Sequence, residues 1–413
     1  MDSSPRALPH LPFFEALATL DESSDDWHAI TAGLVTLRLF DAWITEGPGV
    51  VAAGAFGLRA VREAIGRVTR GNTTRALLTS VVDAMECAVV VQVPMAAPRL
   101  MAYARALQFD AKWALAADVY QTVLTRAHPV EDADIIVNGN MQLGACLRVL
   151  GDMGAAAEAY GRAAQIARRT GDAVNVLRSQ IAEANLAIDR GNLPGAEQIL
   201  DRTIRQARRK GLTEVWALAT HERANVAHRR GSYELAVRLI HEALGGLRVS
   251  SARDRALADL AACFYELGVR SAARDAHLIL AHTAQEQYSR WVATINLLEI
   301  AAADRCEPVF EQYRRELADA SLPPSLAAYY ELYLGQGYRI FERFELARAA
   351  FERATEIASR HHLNEVLIKA EASLGQLRAG GLIVPRTPAK PSPAVARVAS
   401  AVREMRALAG VAG

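Results

Sequence analysis

Asn185 and Asn225 stand forty residues apart, and forty is also the distance at which much of the surrounding chain repeats. An asparagine side chain offers both a donor and an acceptor, so it can pair with the N–H and the C=O of an extended backbone. Two of them in successive repeats could hold a peptide without reading its side chains. That is recognition chemistry, and no motif for making or breaking bonds accompanies it. His221-Glu222 is followed by Arg223 and Ala224, with the next histidine at His228, so the zinc-protease spacing is absent. Gly47, Gly49 and Gly54 have no predicted strand before them and no Gly-Lys-Ser after them, which argues against a phosphate loop. No Gly-x-Ser-x-Gly elbow occurs. Cys87, Cys146, Cys263 and Cys306 are far apart and form no C-x-x-C pair, so they read as isolated thiols of a reducing compartment. The expectation is a non-enzymatic protein with no cofactor and no metal site.

The elements that would position the two asparagines are helices in register. Ala116, Ala156, Ala196 and Ala236 are spaced by forty, and each is followed four residues later by a large residue: Tyr120, Tyr160, Leu200 and Ile240. Gly151, Gly191 and Gly231 precede three of these alanines by five residues, as C-cap glycines followed by a fresh helix start. Gly268, Ala273, His277 and Leu280 make a fifth unit; residues 288–320 make a degenerate sixth, with Pro308 near the start of its second helix. Pro323-Pro324 opens the seventh and most regular unit. In it Leu334-Gly335, Tyr338, Ala347, Phe351 and Ala354 mark two helices that approach closely, with an aromatic ring filling the space between them. Such units bury their faces only by stacking, and a final helix over 363–379 would cap the stack.

Composition agrees. Half of the 413 residues are apolar while aromatics make up 6%, and alanine, the best helix former, dominates the apolar share. The net charge of +1 argues against a polyanion-binding design. No apolar run is long enough to span a membrane, and the first twenty residues lack the apolar core of a signal peptide, so a cytoplasmic location is expected. Residues 1–12, with Pro5, Pro9 and Pro12, are expected to lack fixed structure. Helical spacing then predicts helices over 13–20, 27–45, 50–69 and 73–91, with Pro94 and Pro98 breaking the chain. This N-terminal region is either a bundle or a set of divergent capping repeats; a bundle leading into the stack is the preferred form. The organisation expected is therefore a helical region over 1–92, repeats over 93–380, a stiff Pro-rich linker over 381–393, and a short helix and tail over 394–413. Val395, Val398, Val402 and Met405 share one face of that last helix, which would dock in trans or back onto the repeats.

Residues 99–380 resemble the tetratricopeptide-repeat superfamily, most clearly in 135–247 and 323–360, with a period longer than its usual 34 residues. The resemblance implies an all-α, right-handed superhelical solenoid of antiparallel helix pairs, here with an N-terminal helical bundle. It also implies a concave face lined by the first helix of each pair, where family members commonly hold a peptide or partner protein. Aligned on the repeating alanine, the inward positions include Gln142 and Arg148 in the second unit, and Arg178 and Asn185 in the third. His221, Glu222, Asn225, His228 and Arg229 follow in the fourth, and Arg255, Asp259, Tyr265 and Glu266 in the fifth. The lysines of the chaperone carboxylate clamp are missing, so chaperone C-termini are not expected partners. A helical N-terminal region before about seven long repeats also looks like the bacterial peptide-pheromone receptors, though no helix-turn-helix is evident. The partner expected is a protein or extended peptide, with neither membrane nor nucleic acid involved. The basic clusters Arg168-Arg169, Arg208-Arg209-Lys210 and Arg229-Arg230 fall in last helical turns, where cations suit the exposed carbonyls. The five tryptophans are expected in the core between repeats.

Overall fold

The computed structural model describes residues 8–51, 56–88, 90–320, 322–361, 363–378 and 391–411, and among these there are twenty α-helices and no strand. The chain divides between Gly191 and Asn192 into two compact units, taken separately below. The first holds α1 (Leu11–Leu17), α2 (Asp25–Glu46), α3 (Phe56–Arg67), α4 (Thr73–Glu86), α5 (Val93–Phe109), α6 (Trp113–Arg126), α7 (Ala133–Val149), α8 (Met153–Arg169) and α9 (Ala173–Asp189). The second holds α10 (Leu193–Arg209), α11 (Thr213–Arg229), α12 (Tyr233–Leu244), α13 (Ser250–Glu266), α14 (Arg270–Thr283), α15 (Gln287–Ala303), α16 (Glu307–Ala318), α17 (Pro324–Ile340), α18 (Phe344–Arg360), α19 (Asn364–Arg378) and α20 (Pro393–Leu408). Within each unit successive helices pack against one another as pairs joined by tight turns.

The forty-residue period has a direct packing cause. Ala116, Ala156, Ala196 and Ala236 lie on the second helix of each pair and are fully buried. Without bulk there, the helices of the pairs α5–α6 and α11–α12 come close enough for the following large residue to fill the remaining space: Tyr120 and Ile240 are almost wholly enclosed, and Leu200 of α10 is buried as well. The last regular pair repeats the arrangement, with Ala347 of α18 fully buried, and shares with α7–α8 a glycine facing the ring, Gly335 here and Gly144 there. A Cβ on Gly335 of α17 would sit 2.5 Å from the Phe351 ring of α18, so the aromatic ring occupies the space a side chain would need.

The turns repeat as well. Gly151, Gly191 and Gly231 all have positive φ, and the place one period before them, occupied by Ala111, has φ 58°. Arg305 and Glu342 take the same left-handed conformation in later pairs. The turn is thus imposed by the packing of the helices, and a non-glycine residue adopts it at a cost on the order of 1 kcal/mol.

The N-terminal expectations need correction. Pro94 starts α5 instead of breaking the chain, because a first-turn proline gives up no helical hydrogen bond, and Pro98 is carried inside the same helix. The helix expected over 50–69 is a 3-10 turn at Pro48–Val51 followed by α3, with 52–55 outside the described residues. Fixed structure begins before residue 12: His10 is buried, its Nδ1 lies 2.8 Å from Asp118 on α6, and its Nε2 lies 3.3 Å from Asp41 on α2. Burial alone would lower the His10 pKa, but the Asp118 and Asp41 contacts outweigh it and raise it to about 9, so the imidazolium pins α1 to two other helices. Of the five tryptophans Trp43 alone is fully buried. The others are half-buried, and the Arg208 guanidinium lies 5.2 Å from the Trp216 ring centroid.

The last helix docks in cis. Val395, Val398 and Val402 of α20 are buried against α12 and α14 in a cluster with Val237, Ile240 and Ala276. Ser392 caps the helix, and Arg406 Nη1 meets Asp275 Oδ1 of α14 at 2.6 Å, where Asp275 is 4% exposed. Residues 379–390, which include most of the expected Pro-rich linker, lie outside the described residues.

Two substitutions test these contacts. Ala111→Gly removes the left-handed strain and should stabilise the protein by about 0.5–1 kcal/mol in denaturant titration. Arg406→Ala leaves the Asp275 carboxylate buried with its nearest cation gone; it should cost about 2–3 kcal/mol, discounted because Arg406 is partly exposed. Amide hydrogen exchange across α20 should rise with that loss, and unchanged protection would show that the valines alone hold the helix.

Candidate functional site

In the first unit the expected inward residues are differently engaged. Arg148 of α7 is tied to Asp189 of α9 at 2.5 Å, a contact that outweighs the effect of burial and raises the arginine's pKa. It binds two first helices together. Gln142 is half-buried and Arg178 is exposed. Asn185 is half-buried with its Oδ1 shielded from water and without a hydrogen-bond partner, an acceptor held ready on α9.

The second unit gathers more. His221 of α11 is fully buried, and its Nε2 lies 2.8 Å from Asp259 Oδ2 on α13, while its Nδ1 is buried with no partner. One turn on, Asn225 Nδ2 donates to Glu222 Oε2 at 3.1 Å, and Glu222 Oε1 accepts from Arg255 of α13 at 3.3 Å. The half-exposed Asn225 borders a small cavity of about 70 Å³ that is also lined by His221, His228, Asp259 and Cys263. Burial pushes the Cys263 thiol up to about 12, so it is a packing group and not a nucleophile. A larger cavity of about 490 Å³ lies between α13 and α15, with Ala258 and Val292 as apolar wall and Asp254, Glu286, Tyr288 and the Glu222-bound Arg255 as polar rim.

Further along the same helices is a group that the sequence did not single out. Glu299 of α15 is half-buried; burial, the largest influence, raises its pKa from 4.5 to about 7, although Tyr265 of α13 and Tyr333 of α17 both hydrogen-bond its carboxyl. The ring of Tyr333 lies 5.9 Å from that of Tyr329, and Lys369 of α19 sits 5.8 Å above the Tyr329 ring while pairing with Glu365. Glu365 is held below its usual pKa first by that lysine and also by the charge of Arg229 on α11. Arg229 and Glu365 come from the first and last of the five first helices α11, α13, α15, α17 and α19, so side chains from all five act on one another across this face. The register would have led to Glu299: it follows Ala262 by thirty-seven residues, as Gln287 follows Ser250 at the starts of α15 and α13. The missing consensus alanine of the sixth unit hid it.

No family model matches the chain, and no curated protein matches its sequence. Among solved structures it is similar to a Rap protein complexed with competence and sporulation factor, at 12% identity and a TM-score of 0.45, over 84% of this chain and 98% of that one. It is similar to the Rap conjugation gene regulator of plasmid pLS20 in complex with the Phr* peptide, at 12% identity and a TM-score of 0.42, over 84% and 96%. A third is BtubC from P. vanneervenii, at 18% identity and a TM-score of 0.33, over 72% and 97%. No described helix of the present chain is long and apolar enough to cross a membrane. Among the described residues no group of His, Cys, Asp and Glu is arranged to hold a metal ion.

The Glu299 pKa sets a pH dependence with a definite sign. Its folded value lies above the unfolded one, so the native state binds the proton more tightly and stability falls as pH rises from about 4.5 through about 7. Glu299→Gln keeps a hydrogen-bonding carbonyl and removes the titration. The variant should gain stability relative to wild type between pH 4.5 and pH 8, by on the order of 3 kcal/mol. Parallel unfolding curves at both pH values check this; a constant difference would show that Glu299 ionises freely.

Proposed function

We propose that this is a non-enzymatic helical-repeat protein that binds an extended peptide or partner segment on the first-helix face of its second unit. The observation that carries the proposal is the polar cluster of α11 and α13. His221, Glu222, Asn225, Arg255 and Asp259 are linked to one another on adjacent first helices, yet the cluster ends in a buried imidazole nitrogen with no partner and an amide bordering a cavity. Unpaired buried polar atoms destabilise a fold unless something else satisfies them, and an incoming backbone carries both kinds of partner. The 490 Å³ cavity beside Arg255 gives side chains of such a segment an apolar wall. Arg229, exposed at the end of α11, extends the polar positions of the second unit; within the first unit, Gln142, Arg178 and Asn185 hold the corresponding positions of α7 and α9.

The interaction between Arg229 and Glu365 favours a second reading, that of a ligand-responsive regulator. A ligand entering between α11 and α19 must replace or separate those charges, and the pitch of the second unit would change with them. Small-angle scattering with and without bound peptide distinguishes the two: an unchanged profile belongs to a rigid scaffold.

A hexapeptide library offered to the immobilised full-length protein tests binding directly. Peptides retained by wild type should lose about tenfold or more in affinity to Asn225→Ala and to Arg255→Ala, and little to Glu352→Ala, an exposed residue of the second helix α18. Equal retention by all variants would remove the binding face from α11 and α13.

A further inference from the structure

The first unit holds a cavity that the stacking of repeats does not account for. It lies between α2, the turn at Pro48–Val51 and α3, and its volume is about 460 Å³. Seven of its lining residues are apolar or glycine. Leu39 and Val61 are buried, Val35, Ala42 and Val50 are half-buried, and Gly57 and Ala60 are exposed. Gly57 is not there for close packing. A Cβ on it would meet Leu39 Cδ1 at 3.6 Å, an ordinary contact, so the absent side chain leaves open space along the cavity. The one charged residue of the lining is Arg38. Its guanidinium is held 5.0 Å from the centroid of the Phe14 ring on α1, and among the described residues no carboxylate lies at ion-pair distance from it. The aspartates of its own helix are engaged elsewhere: Asp25 accepts from Thr69 and Asn72, Asp26 pairs with Lys112, and Asp41 pairs with His10 and Arg126. On α3, by contrast, Arg62 is paired with Asp83 and Glu86, and Arg67 with Glu63.

We propose that this cavity binds a small molecule with an unbranched apolar body and one terminal carboxylate, of the medium-chain fatty acid class. The site is independent of the peptide face of the second unit. Its volume and its mostly apolar lining with one polar anchor are those of a small-ligand pocket. A docked protein would meet a polar rim around an apolar centre, whereas this lining carries a single charge. Burial of the chain supplies most of the affinity, roughly fourfold for each methylene. The head group is selected by Arg38. Its planar donors match a carboxylate two-pronged, and the Phe14 ring holds them in place before the ligand arrives. An ammonium head would meet a like charge, and a neutral head would leave the guanidinium without a counter-ion.

Calorimetric titration of the full-length protein with octanoate, at concentrations where the acid does not self-associate, tests the site. n-Octanol serves as the neutral probe of the same length and butyrate as the short acid. Octanoate should bind saturably with one equivalent, octanol about tenfold more weakly, and butyrate about a hundredfold more weakly. Arg38→Gln should bring octanoate down to the affinity of octanol and leave octanol unchanged. Ala60→Phe, which fills the cavity, should abolish binding of both. If circular dichroism shows that Ala60→Phe does not fold, Ala42→Phe fills the same space from α2. Absence of saturable octanoate binding overturns the proposal, as does equal binding of octanoate and octanol by wild type. Octanoate binding that survives the filled variant unchanged would place the ligand elsewhere and overturn it too. A filled variant whose sedimenting mass differs from wild type, with no octanoate bound by either, would make this face a contact between copies of the chain and remove the ligand site.

Discussion

Everything in this chain depends on how closely two helices of a pair can approach. Fully buried alanines on the second helices, with glycines facing the ring in the pairs α7–α8 and α17–α18, set that distance. At such spacing one aromatic or branched residue is enough to fill each layer, which is why a protein with so few aromatics builds a continuous core. Because the first helices are held in place by contacts on their other side, their inward surfaces are left over for polar residues. Where polar residues are buried between first helices, as His221 and Glu222 are, they bring their partners Asp259, Asn225 and Arg255 with them.

The same constraint decides which turns are tolerated. The left-handed residue between helices is dictated by where the next helix must begin, so the chain passes through that conformation at Ala111, Arg305 and Glu342 as it does at the glycines. The sequence signal for a turn is therefore incomplete by nature. Glycine marks the position where evolution or chance has removed the strain, and the structure marks it everywhere.

Much of the helical organisation was legible because it is periodic. The repeat alanines, the large residues after them, the helix α19 and the valine face of α20 follow from spacing alone. What was not legible lay where periodicity lapses or where partners are distant in the chain. Pro94 and Pro98 looked like breaks because a proline in a first turn and one that ends a helix share the same letter. His10 gave no sign of its two aspartates, thirty-one and one hundred and eight residues away. Glu299 stood in the pair whose consensus residue is missing, and its tyrosine partners sit on helices to either side. The engagement of Arg148 by Asp189 is a matter of side-chain direction that spacing does not encode.

Stacks of repeats ordinarily fold by nearest-neighbour terms, so that end repeats fray and the middle holds. The docking of α20 on α12 and α14 departs from that scheme. Its arginine meets an aspartate 131 residues earlier, which closes a loop running through α15, α16, α17, α18 and α19. Closing a loop of that length costs only slightly more entropy than a loop half as long, because the cost grows with the logarithm of length. In return, the five intervening helices lose the freedom to unravel from their end independently. The second unit gains the cooperativity of a globular domain while keeping the surface of a solenoid.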